Sequence, residues 1–223
     1  MIKPSDLDLP FKDWRRFQLE TILEIVASDK KIKLGEGPTG SGKSGVAVAT
    51  ARASGAEKTV ICCSTIQLQQ QYLADFPELP TVIGRSNFPC LVDDRLTADE
   101  AACTVIGPYT CPQYQPCPYY TQRRAGLEAP IAVLNYSYWL RAANSLTSSK
   151  DGPPFSRLGL FFGDEAHELD NQLKGIVEAR ITASTFKRMT ISLPRIDPDD
   201  PRYQDLSIWK YWAKSTLDNL PIP

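Results

Sequence analysis

Apolar residues Leu19, Ile22, Leu23 and Val26 recur at helical spacing, which predicts a first helix over residues 14–27 with one buried face. The pattern then changes. Residues 31–36 read as a short strand and 37–42 as a glycine-rich turn. Residues 43–53, rich in alanine and valine, read as a helix that Gly55 ends. Thr59-Val60-Ile61-Cys62-Cys63 is an unbroken apolar, partly β-branched run, as expected of a strand buried on both faces. Strand, helix and strand in this order form a βαβ unit and argue for an α/β fold with a parallel sheet. A further helix over 67–76 presents Leu68, Tyr72 and Phe76 at i, i+4 and i+8.

From 84 to 127 the periodicity fades, and five prolines and four cysteines stand among few aliphatic residues. A segment of that size and polarity buries too little apolar surface to hold itself together without a staple. Regular patterning returns with a strand over 131–134, a helix over 136–143, a polar loop through Pro153-Pro154 and an apolar strand over 158–162 that runs into Asp164-Glu165-Ala166-His167. Three helical stretches follow. The clearest, 203–220, places Leu206, Trp209, Ala213, Leu217 and Leu220 on one face. The change from α/β to all-α character near Asp170 marks the expected domain boundary.

Composition narrows the function classes. The 223 residues are 42% hydrophobic and 23% charged, and 25 basic against 26 acidic side chains leave a net charge of -1. No field of the whole molecule draws it to polyanions, so a nucleic-acid surface must be a local patch. The sequence has neither an apolar run of spanning length nor the apolar core of a signal peptide near Met1. The expected compartment is therefore the cytoplasm, associated with the nucleoid, or the nucleus, without secretion or membrane contact. Six cysteines in a reducing compartment call for a role other than cross-linking, and one histidine excludes most His-based zinc sites and Ser-His triads.

Gly37-Pro38-Thr39-Gly40-Ser41-Gly42-Lys43-Ser44 matches the phosphate-loop pattern at every fixed position, between a predicted strand and a predicted helix. Glycines let successive main-chain N–H groups turn inward around a phosphate, and the following helix adds its positive end. Lys43 then reaches the β- and γ-phosphates of ATP, and the Ser44 hydroxyl ligates Mg²⁺. Asp164, delivered by an apolar strand, supplies a carboxylate for Mg²⁺, and Glu165 polarises the attacking water. His167 is expected to couple this site to the neighbouring domain.

Several segments in order resemble the XPD and DinG type of superfamily 2 DNA helicases. Residues 36–44 resemble motif I, Ser64 to Gln71 motif Ia, Gly84 to Cys90 the approach to the first cluster cysteine, Leu134 to Tyr138 the asparagine motif, and Asp164 to Asn171 motif II. The resemblance spans about residues 14–180. It implies a RecA-like motor domain over 1–84 and 129–170, an iron–sulfur insertion over 85–128, and the start of a helical Arch domain over 171–223. Arg15 and Gln18 stand where the family's Q motif lies, so Gln18 would read adenine. Cys90, Cys103, Cys111 and Cys117 would hold a [4Fe–4S] cluster. Apart from the resemblance, the four cysteines are equally open to a cluster, to zinc or to remaining unligated thiols, and no Cys-x-x-Cys knuckle is present. Cys62 and Cys63 read instead as small apolar strand residues.

The same resemblance implies 5′ to 3′ movement on single-stranded or forked DNA, with Thr65 and Asn135 near its phosphates. Arg85, Tyr119, Tyr120, Arg123 and Arg124 are candidates for charge and stacking. No Ser-Ala-Thr motif or second RecA-like domain follows, so the chain reads as part of a longer motor or a natural truncation, with ATP hydrolysis weak in isolation for want of arginine fingers. The alternative is a binding module that grips single-stranded DNA or a helicase partner without catalysis.

Overall fold

The run Thr59–Cys63 forms β1, and its five residues are all buried because apolar side chains alternate onto two covered faces. The computed structural model describes residues 2–143, 158–177, 196–197 and 199–218. Among them, β2 (Thr81–Val82), β3 (Ile131–Asn135) and β4 (Leu160–Gly163) complete a four-stranded sheet of order β2-β3-β1-β4. Every pairing is parallel, so the protein is α/β with a parallel sheet. Thr59 lies opposite both Ile131 and Leu160, Cys63 opposite Asn135, and Cys62 opposite Gly163, which brings three carboxyl ends to one edge.

On one face Ile61, Cys63 and Val133 pack with Ile22 of α1 (Gln18–Ala27), Val48 of α2 (Lys43–Ala53), and Tyr72 and Phe76 at the end of α3 (Ile66–Asp75). On the other, Val60, Cys62, Val82 and Leu134 meet Tyr136, Trp139 and Leu140 of α6 (Tyr136–Ala143), with Leu169 of α7 (Leu169–Val177) against them. Helices on both faces are what a sheet of parallel strands requires.

Two expectations shift. The first helix begins at Gln18, because Gln18 and Arg15 close a turn on each other: Arg15 N–H donates to Gln18 Oε1 at 2.9 Å and Gln18 N–H to the Arg15 carbonyl at 3.1 Å. Residues 31–36 join no strand, and Ile32 and Leu34 stand exposed. The edge strand β4 has β1 as its sole partner among the described residues, so residues 31–36 do not pair with its open side.

The cysteine-bearing segment is short on regular structure, with α4 (Cys103–Ile106) and α5 (Pro118–Glu128) its helices. Ala98, Cys117, Tyr119 and Tyr120 form its small core, flanked by Phe88, Cys103 and Tyr114. Polar contacts tie α5 to the sheet. The buried Lys58 ammonium donates to the carbonyls of Gly126 at 2.7 Å, Leu127 at 3.0 Å and Ala129, while the Gln122 carboxamide pairs with both main-chain groups of Ile83.

The chain divides into two units, Met1–Val177 and Glu178–Pro223. In the second, the Asp200 side chain caps a turn over Pro201–Gln204 that leads into α8 (Leu206–Asp218), and Trp209 Nε1 donates to the Tyr203 carbonyl at 2.6 Å. The helical stretch expected between these elements and the loop through Pro153-Pro154 lie outside the described residues.

Candidate functional site

The phosphate-loop sequence turns tightly because Gly40 and Gly42 adopt φ of 79° and 83°, where a side chain would be strained. A Cβ on Gly42 would also push aside the end of the Gln18 side chain. Ser41 N–H closes the loop on the Pro38 carbonyl at 3.2 Å. The eleven-residue α2 begins at Lys43, so its positive end lies at the loop, as anion binding requires. Thr39 is exposed at the tip, and Gly37 and Ser44 are half-buried. The Lys43 ammonium donates to the Gly37 carbonyl at 3.1 Å and lies 3.8 Å from Glu165 Oε1.

The Gln18 carboxamide lies on the outside of this loop. Its Nε2 donates to the carbonyls of Ser41 and Gly42, each at 3.2 Å, and Arg15 Nη1 donates to that of Gly40. A trans peptide points its N–H opposite its C=O, so carbonyls held by Gln18 turn the Gly42 and Lys43 amides away from it.

Asp164 N–H bonds the Cys62 carbonyl at 2.8 Å and so extends the β1–β4 ladder by one step. Tyr72 donates to Asp164 Oδ2 at 3.2 Å from one face of the sheet, and Tyr136 donates to the Asp164 carbonyl at 3.1 Å from the other. Burial pushes the Asp164 carboxyl above its ordinary range; the Tyr72 hydrogen bond opposes that shift, the neighbouring Glu165 charge adds to it, and the Lys43 charge opposes it. Glu165 has φ 54° and ψ 48°, a left-handed conformation rare for a residue with a side chain. The exposed His167 places Nδ1 3.4 Å from Glu165 Oε2 and Nε2 3.6 Å from Glu168 Oε1.

The donor chemistry of Ser44 and Asp164 suits Mg²⁺: two hard oxygens beside a loop able to hold phosphates, which is how this ion is generally bound, with waters completing its shell. Among the described residues no group of three or more His, Cys, Asp or Glu side chains is placed to hold a metal ion. A magnesium ion shared with phosphates does not need one. A cluster bound by cysteines does. Cys90, Cys103 and Cys111 are half-buried, Cys117 is buried, and all four are free thiols. Cys103 and Cys117 share the aromatic core, where the Tyr120 hydroxyl faces Cys103 Sγ at 3.9 Å. The sulfurs therefore suit a cluster in kind and number but are not gathered into a cage.

The residues expected near DNA have local partners. Thr65 Oγ1 accepts from Leu68 N–H at 3.2 Å and caps α3. Asn135 Oδ1 accepts from Tyr138 N–H at 2.7 Å in the first turn of α6, and Asn135 Nδ2 donates to Gln69 Oε1 at 3.3 Å. The buried Gln69 donates in turn to the carbonyls of Val82 and Val133. Arg85 lies over the Tyr119 and Tyr120 rings at 4.9 and 5.3 Å, and Arg124 over Tyr114 at 5.1 Å. The Arg123 charge acts on the Tyr138 phenol, opposing the rise that burial causes in its pKa. Tyr119 and Tyr120 are buried within the segment.

Sequence reasoning overlooked Tyr72, Tyr136, Gln69 and Lys58. One signal was readable for Tyr72: a tyrosine on an otherwise apolar stripe has a hydroxyl that must find a partner once buried. A scan against protein-family models finds no match to this chain, and a search of curated proteins finds none either.

Proposed function

We propose that the chain is the ATP-binding, RecA-like motor half of a DNA helicase of the XPD and DinG type. The observation that carries this reading is the meeting of two segments about 120 residues apart: the Lys43 ammonium lies 3.8 Å from Glu165, with Asp164 adjoining on the same sheet edge. A cation at a helix start, facing paired carboxylates at the end of a parallel strand, is the arrangement that phosphoryl transfer uses. The loop amides and Lys43 neutralise the phosphate oxygens, and Ser44 and Asp164 hold magnesium, which supplies further positive charge against them. Glu165 orients and deprotonates the attacking water, with Lys43 and His167 flanking its carboxylate. The Q-motif pair Arg15 and Gln18 supports the loop.

Single-stranded or forked DNA is the proposed track. Thr65 and Asn135 cap helices at the carboxyl ends of adjacent strands, and helix starts there can receive phosphate oxygens. For the cysteine segment the reading is a [4Fe–4S] cluster, supported by the donor set and the family resemblance.

Titration with a fluorescent ATP analogue and Mg²⁺ tests the central claim. Wild type should bind in the micromolar range, and Lys43→Ala should weaken binding by about tenfold or more, the loss of a charge-assisted contact. Equal binding by the two proteins would refute the assignment.

A further inference from the structure

Tyr72 is almost wholly buried, 1% exposed, in the apolar layer under the sheet edge, and its ring lies 6.4 Å from that of Phe76. Its hydroxyl is the one part of the side chain that this packing does not require. That hydroxyl donates to Asp164 Oδ2 at 3.2 Å. An ionised carboxylate has no proton to give, so the bond runs from the Tyr72 hydroxyl to Asp164. The Asp164 main chain is tied independently through Tyr136.

We propose that Tyr72 is a positioning residue for the divalent cation, its hydroxyl holding the Asp164 carboxylate so that it presents lone pairs to the magnesium ion it would share with Ser44. This assignment rests on the nucleotide reading above and names a residue outside the phosphate loop and the acidic pair. Partners that orient metal ligands typically change metal affinity by about 10- to 100-fold when removed.

The test is Tyr72→Phe, which keeps the ring and removes only the hydroxyl. Affinity for the fluorescent ATP analogue is measured in EDTA and then across a Mg²⁺ series, and Mn²⁺ binding to the nucleotide complex is followed by electron paramagnetic resonance. Expected are unchanged affinity in EDTA, a Mg²⁺ midpoint raised about tenfold, and an altered Mn²⁺ signal. In an Asp164→Asn background the same substitution should move the midpoint no further. If wild type responds to Mg²⁺ and Tyr72→Phe follows it at every concentration, or if the two substitutions act independently, the role of Tyr72 is overturned while the nucleotide site stands. If Tyr72→Phe loses affinity equally in EDTA, the hydroxyl is structural and the proposal fails. A wild type that binds no nucleotide under either condition removes the underlying reading itself.

Discussion

Lys58→Met isolates what joins the cysteine-bearing segment to the sheet. Wild-type Lys58 is 8% exposed, and its ammonium donates to three carbonyls at the end of α5, those of Gly126, Leu127 and Ala129. Methionine has nearly the same length and no donor. A hydrogen bond to a charged group contributes about 1.5–3 kcal/mol. A cation at a helix C-terminus adds about 0.3–1 kcal/mol. Burial of the ammonium opposes these gains, as the lowered pKa of Lys58 records. The three bonds share one charge, so the net loss is expected near 2–4 kcal/mol rather than their sum. In a domain of this size that corresponds to a fall of about 5–15 °C in melting temperature. Thermal denaturation followed by circular dichroism gives the total. Hydrogen exchange gives the location, with protection lost over Pro118–Glu128 before β1 and β3. A melting temperature within about 1 °C of wild type, with α5 exchanging as before, would refute the reasoning. Lys31→Met, at an exposed position, serves as the control.

Two further outcomes follow from burial. The Asp164 carboxyl titrates above its unfolded value of 3.8, so between that pH and the raised value the native state holds more proton than the unfolded chain. The contribution of Asp164 to stability is thus greatest at low pH and declines as pH rises through its folded pKa. In EDTA at pH 7, Asp164→Asn should melt above wild type, and the gap should close toward pH 4; parallel profiles would contradict this. Burial also pushes the Cys62 thiol up, and burial with the Asp164 charge pushes that of Cys63 up to about 12. Iodoacetamide at pH 8 should spare both in the native protein and modify both in guanidinium, read by peptide mass spectrometry. Cys90, Cys103 and Cys111 should react natively and, together with Cys117, become protected after anaerobic loading with iron and sulfide. Native labelling of Cys62 would undo the first expectation, and unchanged labelling after loading would undo the cluster.

Much of the frame was legible in order along the chain. Residues 43–53, 59–63 and 136–143 form the elements expected of them, with the same limits. An unbroken apolar run can satisfy its surroundings only when covered on both faces, and β1 is so covered. The phosphate loop was equally readable, because its glycines specify backbone angles that need no distant partner. The segment 31–36 has strand-like alternation and forms no strand. Alternation selects a face, but a ladder needs a neighbour, and pairing is not a local property.

Partners far apart in the chain were decided by tertiary structure alone. Gln18 could be placed near a nucleotide by motif, yet its carboxamide lies on the loop carbonyls of Ser41 and Gly42. Lys58 drew no reading from sequence, and only the fold brings the end of α5 around its ammonium. Tyr72 read as one apolar face among others, and only the sheet register brings Asp164, 92 positions later, to its hydroxyl. Periodicity and glycine placement express short-range sterics and polarity, which each stretch of sequence carries within itself. The direction of a hydrogen bond between remote side chains depends on how layers stack, and that is settled only when the whole core closes.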